Sequence, residues 1–146
     1  MIFLLFSTIV ELGRICPDPR DAKCAGWTPH DIAFSVPKDG VARDEFRSES
    51  FYAIVLKTLP PCSVTNEELA EIQKLFPANK VFATRFGCEG SDEAIHYTNI
   101  NPKVGFIAVY GGSTAAEARK FLQQVNFTQK FPGANVRKMQ AVLVYP

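Results

Sequence analysis

The stretch Lys103–Arg137, KVGFIAVYGGSTAAEARKFLQQVNFTQKFPGANVR, decides how the chain is organised. Gly105 to Tyr110 is a short apolar run rich in β-branched and aromatic residues, and the paired glycines Gly111 and Gly112 end it as a strand ends in a turn. Thr114 follows, with Glu117 three places on, the capping-box spacing in which each side chain satisfies an orphan amide at a helix start. Ala118, Phe121, Leu122 and Val125 then recur at i, i+3, i+4 and i+7, one apolar stripe along a helix. Phe131-Pro132-Gly133 breaks it, and Val136 opens another β-rich run reaching Tyr145. The unit reads strand, helix, strand.

The chain has already written this unit once. Phe51 to Leu59 is β-rich and ends at Pro60 and Pro61; Thr65 and Glu68 repeat the capping-box spacing; Leu69, Ile72 and Phe76 share a helical face. Phe76-Pro77-Ala78-Asn79 ends that helix as Phe131-Pro132-Gly133-Ala134-Asn135 ends the later one, and Val81 to Phe86 follows as a strand. The spacing predicts helices near 66–76 and 115–126. Two βαβ halves in series make an α+β fold of the ferredoxin-like βαββαβ kind, a four-stranded antiparallel sheet with both helices on one face. An irregular N-terminal arm precedes it. The domain division is 1–48, apolar segment and arm or linker, and 49–146, the folded domain.

The phrase FIAVYGGSTAAEARKFL, followed by FPGANVR, resembles the SPOR domain, the sporulation-related repeat of bacterial cell-envelope proteins. That family repeats a short strand ending in Gly, a helix beginning near Glu-Ala and a closing strand often reading Val-Arg. The resemblance covers Glu49 to Pro146 and implies an envelope module that binds peptidoglycan, favouring glycan strands stripped of their peptides. Two departures stand out. Lys57 occupies the place of the family's glycine in the first half, and Val55 and Val109 stand where the family carries polar residues on its open sheet face. The second departure keeps a protein partner, held on the same sheet or along an edge strand, as the alternative ligand.

With both helices on one side, the other sheet face is expected to be open. Strand alternation assigns Lys57 there with Phe51, Ala53 and Val55, Arg85 with Val81 and Ala83, and Lys138 and Gln140 with Val136 and Val142. Lys57, Arg85, Lys138 and Gln140 are therefore the candidate glycan-binding residues, suited to hydrogen-bonding sugar hydroxyls and acetamido groups.

The 146-residue chain is 47% hydrophobic and 21% charged with a formal net charge of +1. This composition suits a folded core and provides no global field toward nucleic acid, which is not expected as a partner. Met1 to Val10, MIFLLFSTIV, is a continuous apolar run. It is shorter than the roughly 20 residues a membrane-spanning helix needs. It suits the apolar part of a secretory signal although no Lys or Arg precedes it. A short membrane anchor or a buried element of the domain are the other readings. From Arg14 to Ser50 prolines and charges alternate, only Ile32–Val36 patterns like a strand, and Trp27 reads as a plug holding the arm to the domain.

The cysteines stand at 16, 24, 62 and 88, with none of the tight spacing of a zinc knuckle, and the two histidines, His30 and His96, lie far apart. No metal, cofactor or catalytic group is expected. Cys62 lies just past the first repeat strand and Cys88 just past the second. Those strands run parallel in a βαββαβ sheet, so both thiols reach one sheet edge, where a disulfide can form. Cys16 and Cys24 can close a small loop in the arm. Such pairing implies an oxidising compartment, periplasmic in this reading. Glu89 to Asn101 reads as a polar hairpin, and the Gly111–Thr114 amides as a potential anion cradle.

Overall fold

A computed structural model describes residues 12–24, 29–88 and 95–144. The expectations for Met1–Val10 and for Trp27 lie outside these residues. The described chain is an α+β protein with two helices and two antiparallel sheets. In order it runs β1 (Glu45–Arg47), β2 (Phe51–Leu59), α1 (Asn66–Leu75), β3 (Val81–Ala83), β4 (Ile95–Tyr97), β5 (Gly105–Gly112), α2 (Ala115–Phe127), β6 (Asn135–Met139) and β7 (Ala141–Val144). One sheet has four strands in the order β3-β5-β2-β6, and the other three in the order β1-β7-β4. Among the described residues no helix is long and apolar enough to cross a membrane.

The helix starts follow the sequence closely, with one difference between the repeats. At α2 the capping box is complete: the Thr114 hydroxyl accepts from the Glu117 amide, and the Glu117 carboxylate accepts from the Thr114 amide. The same carboxylate accepts from the Ser113 amide and hydroxyl, and these hydrogen bonds, the Ser113 amide's first, hold its pKa below the usual glutamate value. It thereby fills the anion cradle expected at Gly111–Thr114. Gly112 sits at φ +145°, and a Cβ there would lie 2.6 Å from the Glu117 Cβ, so the turn requires glycine. At α1 only half the box forms. Thr65 accepts from the Glu68 amide, whereas the Glu68 carboxylate leaves the cap and pairs with Lys57.

The expected last strand is two. It breaks at Gln140, and β7 leaves the four-stranded sheet to pair with β1 and β4. Gln140 fixes the crossing point. Its amide N–H donates to Thr98 Oγ1 at 2.8 Å, its side-chain Nε2 to the Ser48 carbonyl at 3.0 Å, and its carbonyl accepts from the Thr98 amide. Part of the expected 89–101 hairpin is β4, and residues 89–94 of it lie outside the described residues.

Both faces of the four-stranded sheet are buried. On one, Ile54, Leu56, Val81, Ala83, Ile107 and Val109 pack with Leu69 and Ile72 of α1 and Ala118 and Val125 of α2. On the other, Phe51, Ala53, Val55, Phe82, Phe106 and Ala108 pack with Ile95 and Tyr97 of β4 and with Ile32 and Phe34 of the arm. The open face expected from the helix arrangement is thus a second core. The Ile32–Val36 segment is no named strand; it makes an isolated antiparallel bridge, Phe34 with Ile15. Gly13 lets the two arm segments cross, since a Cβ there would lie 2.3 Å from the Ser35 carbonyl oxygen.

Candidate functional site

The burial of that face redistributes the four residues assigned to it. Lys57 lies beyond a bulge in β2: Val55 pairs with Ala108, Lys57 pairs with Ile107, and Leu56 is the extra residue. A one-residue slip turns every later side chain to the opposite face, so Lys57 joins Ile107 on the helix side and meets Glu68 of α1. Arg85 follows the end of β3 and donates from Nη2 to the Val64 carbonyl and to Asn66 Oδ1, both at 3.0 Å, tying its loop to the start of α1. Lys138 shares the helix side with Val136 and lies 5.9 Å from the centre of the Tyr52 ring. Gln140 is half-buried at the strand crossing. The four form no common surface, and their assignment to an open face is corrected on each strand. Alternation separates the two side-chain sets of a strand, but when both sets are buried it does not say which faces the helices.

The cysteine expectation fares differently. Cys62 and Cys88 are joined, with their Cα atoms 5.6 Å apart, linking the turn after β2 to the loop after β3. Cys62 adopts φ 63° within its turn. The side chain of Cys24, the expected partner of Cys16, lies outside the described residues.

The tethered loop forms one wall of a cavity of about 190 Å³. Thr84 and Phe86 come from this loop, His96 and Tyr97 from β4, Asn101 and Val104 from the segment leading into β5, and Phe106 from β5 itself. Tyr97 and Phe106 form a buried floor, edge to face with ring centres 5.6 Å apart. Phe86 is 47% exposed, a large apolar ring left at the rim, and stands 5.1 Å from the imidazole of His96. Burial, with the positive charge of Arg47, lowers the His96 pKa against the pull of Glu45. The imidazole is therefore neutral at pH 7 and offers one donor and one acceptor. Asn101 Oδ1 is used by the Lys103 amide at 2.9 Å, and Thr84 Oγ1 accepts from the Phe86 amide.

This arrangement suits binding: an apolar aromatic interior, a rim of neutral hydrogen-bonding groups, and space for a single ring or side chain, below the volume of drug-sized sites. Phe86 is expected from the sequence as the end of a strand, and His96 and Asn101 as part of a polar hairpin, none of them as a binding residue. The strand ends instead at Ala83, which leaves Phe86 in the loop that follows. Comparison with known protein families, with curated proteins and with solved structures returned no match.

Proposed function

We propose that the chain is a non-catalytic binding module of the bacterial cell envelope, built on a ferredoxin-like βαββαβ frame, that holds a peptidoglycan glycan strand at the Phe86 cavity. The frame reading is supported by the order β3-β5-β2-β6, in which the third repeat strand lies between the first and second, and by both helices packing on one side. In this reading β4 and β7 are additions that cover the far face. A periplasmic location draws support from the Cys62–Cys88 disulfide, because such bonds persist in oxidising compartments.

The observation carrying the ligand class is the cavity lining, aromatic inside and neutral-polar at the rim. A sugar ring is amphipathic in the same way. Its C–H face stacks on an aromatic ring such as Phe86, and its hydroxyl and acetamido groups meet Asn101, Thr84 and neutral His96. No charge is needed, in keeping with a net charge of +1. Co-sedimentation with isolated sacculi tests this. The protein should pellet, more so after an amidase strips the stem peptides, and Phe86→Ala should weaken pelleting at least five-fold. Lys138→Ala, away from the cavity, should leave it unchanged. Wild-type protein remaining in the supernatant with stripped sacculi refutes the glycan reading.

A further inference from the structure

We infer that the free edge of β2, residues Leu56–Leu59, is a docking site for an extended peptide segment in which an acidic residue neighbours an apolar one. The site is separate from the Phe86 cavity and independent of what binds there.

β2 pairs with β6 from Phe51 to Val55, where the partner is Asn135, the first residue of β6. Beyond Val55 the chain preceding β6 turns away through Phe131-Pro132-Gly133, while β2 runs on to Leu59 still paired with β5 on its other side. A cavity of about 480 Å³ opens between the end of β2 and this turn, lined by Val55–Thr58, Lys130–Gly133 and Asn135. Two other edges of the fold, those of β3 and β1, are closed by the arm. On β3 the Ala83 amide donates to the His30 carbonyl, and next to it the Lys80 amide donates to the Pro17 carbonyl. On β1 the Arg47 carbonyl accepts from the Gly13 amide. The end of β2 has no such cover in the described residues.

A strand edge presents alternating N–H and C=O groups, and the occupant that satisfies them in register is another extended backbone. The lining specifies the side chains. Leu56 and Phe131 are buried at its base and Pro132 flanks them, an apolar seat for one residue of the peptide. Two lysines, Lys57 and Lys130, also line the groove. Lys57 is shared with Glu68, and Lys130 is in no ion pair among the described residues. Glu68 answers one of the two lysines, so the groove retains a positive balance that a carboxylate on the neighbouring peptide residue would meet.

The test is a backbone NMR titration of the full chain with two capped peptides, one alternating Val and Glu and one alternating Val and Lys, with amide hydrogen exchange read at each end point. The acidic peptide should shift and protect amides within Leu56–Leu59, bind several-fold more tightly than its lysine counterpart, and lose about ten-fold in affinity with Lys130→Glu. Lys130 is exposed, so that variant should keep the wild-type melting temperature. Phe86→Ala should leave peptide binding unchanged, which separates this site from the glycan reading. Three outcomes overturn the inference: no perturbation within Leu56–Leu59, equal binding of both peptides, or protection that rises with protein concentration alone, which identifies a second copy of the chain as the occupant.

Discussion

The two faces of the four-stranded sheet are equally buried but are covered in different ways. The helix side is closed by α1 and α2, each lying in sequence between strands that it covers. The other side is closed by pieces from far apart: Ile32 and Phe34 of the arm, Ile95 and Tyr97 of β4, and Met139 and Ala141 around the strand crossing. The first cover comes from local repeats with a helical period. The second is assembled from short segments with no period long enough to read, held by single contacts such as the Ile32 amide donating to the Tyr97 hydroxyl at 3.3 Å. Helical covers are legible in a sequence; a cover made of loops and three-residue strands is not.

Removing the irregular cover is the strongest way to break this equivalence. A chain starting at Glu49 loses Ile32 and Phe34 and exposes part of the face formed by Phe51, Phe82 and Phe106, rings worth roughly 1.5–3 kcal/mol each on burial. It should bind a hydrophobic dye and lose a cooperative urea transition while keeping helical circular dichroism. A truncated chain with the parental urea midpoint would show that the arm is dispensable and the two covers unequal. The Cys62–Cys88 link is next. Its 26-residue separation predicts a loss of ~3 kcal/mol for the Cys62→Ser/Cys88→Ser pair in the chain-entropy picture, read as a lower urea midpoint at unchanged slope.

Within the legible half the two helix caps differ. Thr114→Ala removes a reciprocal box and should cost about 1 kcal/mol, with Thr65→Ala costing less because Glu68 is already committed to Lys57. Equal losses would show that the second half of the box contributes nothing. The mildest effect separates the faces by pH. His30, in the arm, and His96, in β4, both have lowered pKa values, chiefly through burial. Arg85 and Lys80 add to the lowering at His30, against Asp31, and Arg47 adds to it at His96, against Glu45. Unfolded imidazoles take up protons near the ordinary value of 6.5 while the folded ones resist, so the unfolded state binds more protons just below it. Stability is full above 6.5, falls as the pH drops through the window beneath it, and levels off below the folded pKa values. Hydrogen-exchange protection, taken relative to the intrinsic amide rate at each pH, should fall between pH 7 and 5 first at Ile32, Phe34 and β4, and last at α2. A uniform fall would mean that the two covers open together.

How much of the candidate site could be read in advance depended on the kind of signal each residue carried. Cys62 and Cys88 were predictable because they follow parallel strands and so reach one edge by topology alone. Lys57 was misassigned because a bulge is one extra residue in an unbroken β-rich run; nothing in FYAIVLKTL marks Leu56 as the residue that slips. Phe86, His96 and Asn101 come from separate segments and meet only after β4 pairs with β7.

The sequence by itself determined the doubled strand–helix–strand unit, its helix limits to within a residue or so, the requirement for a capped turn at Gly112–Glu117, and the reach of one disulfide. All of these follow from interactions between residues close in the chain or from the direction strands must run. Tertiary structure alone decided which face of each strand meets the helices, that the final strand crosses at Gln140 into a second sheet, and that the arm seals the face left over. The physical reason is that both side-chain sets of β2 and β5 are apolar, so alternation is satisfied equally by either orientation. Long-range packing of Ile32, Phe34 and Tyr97 against one set is what distinguishes them.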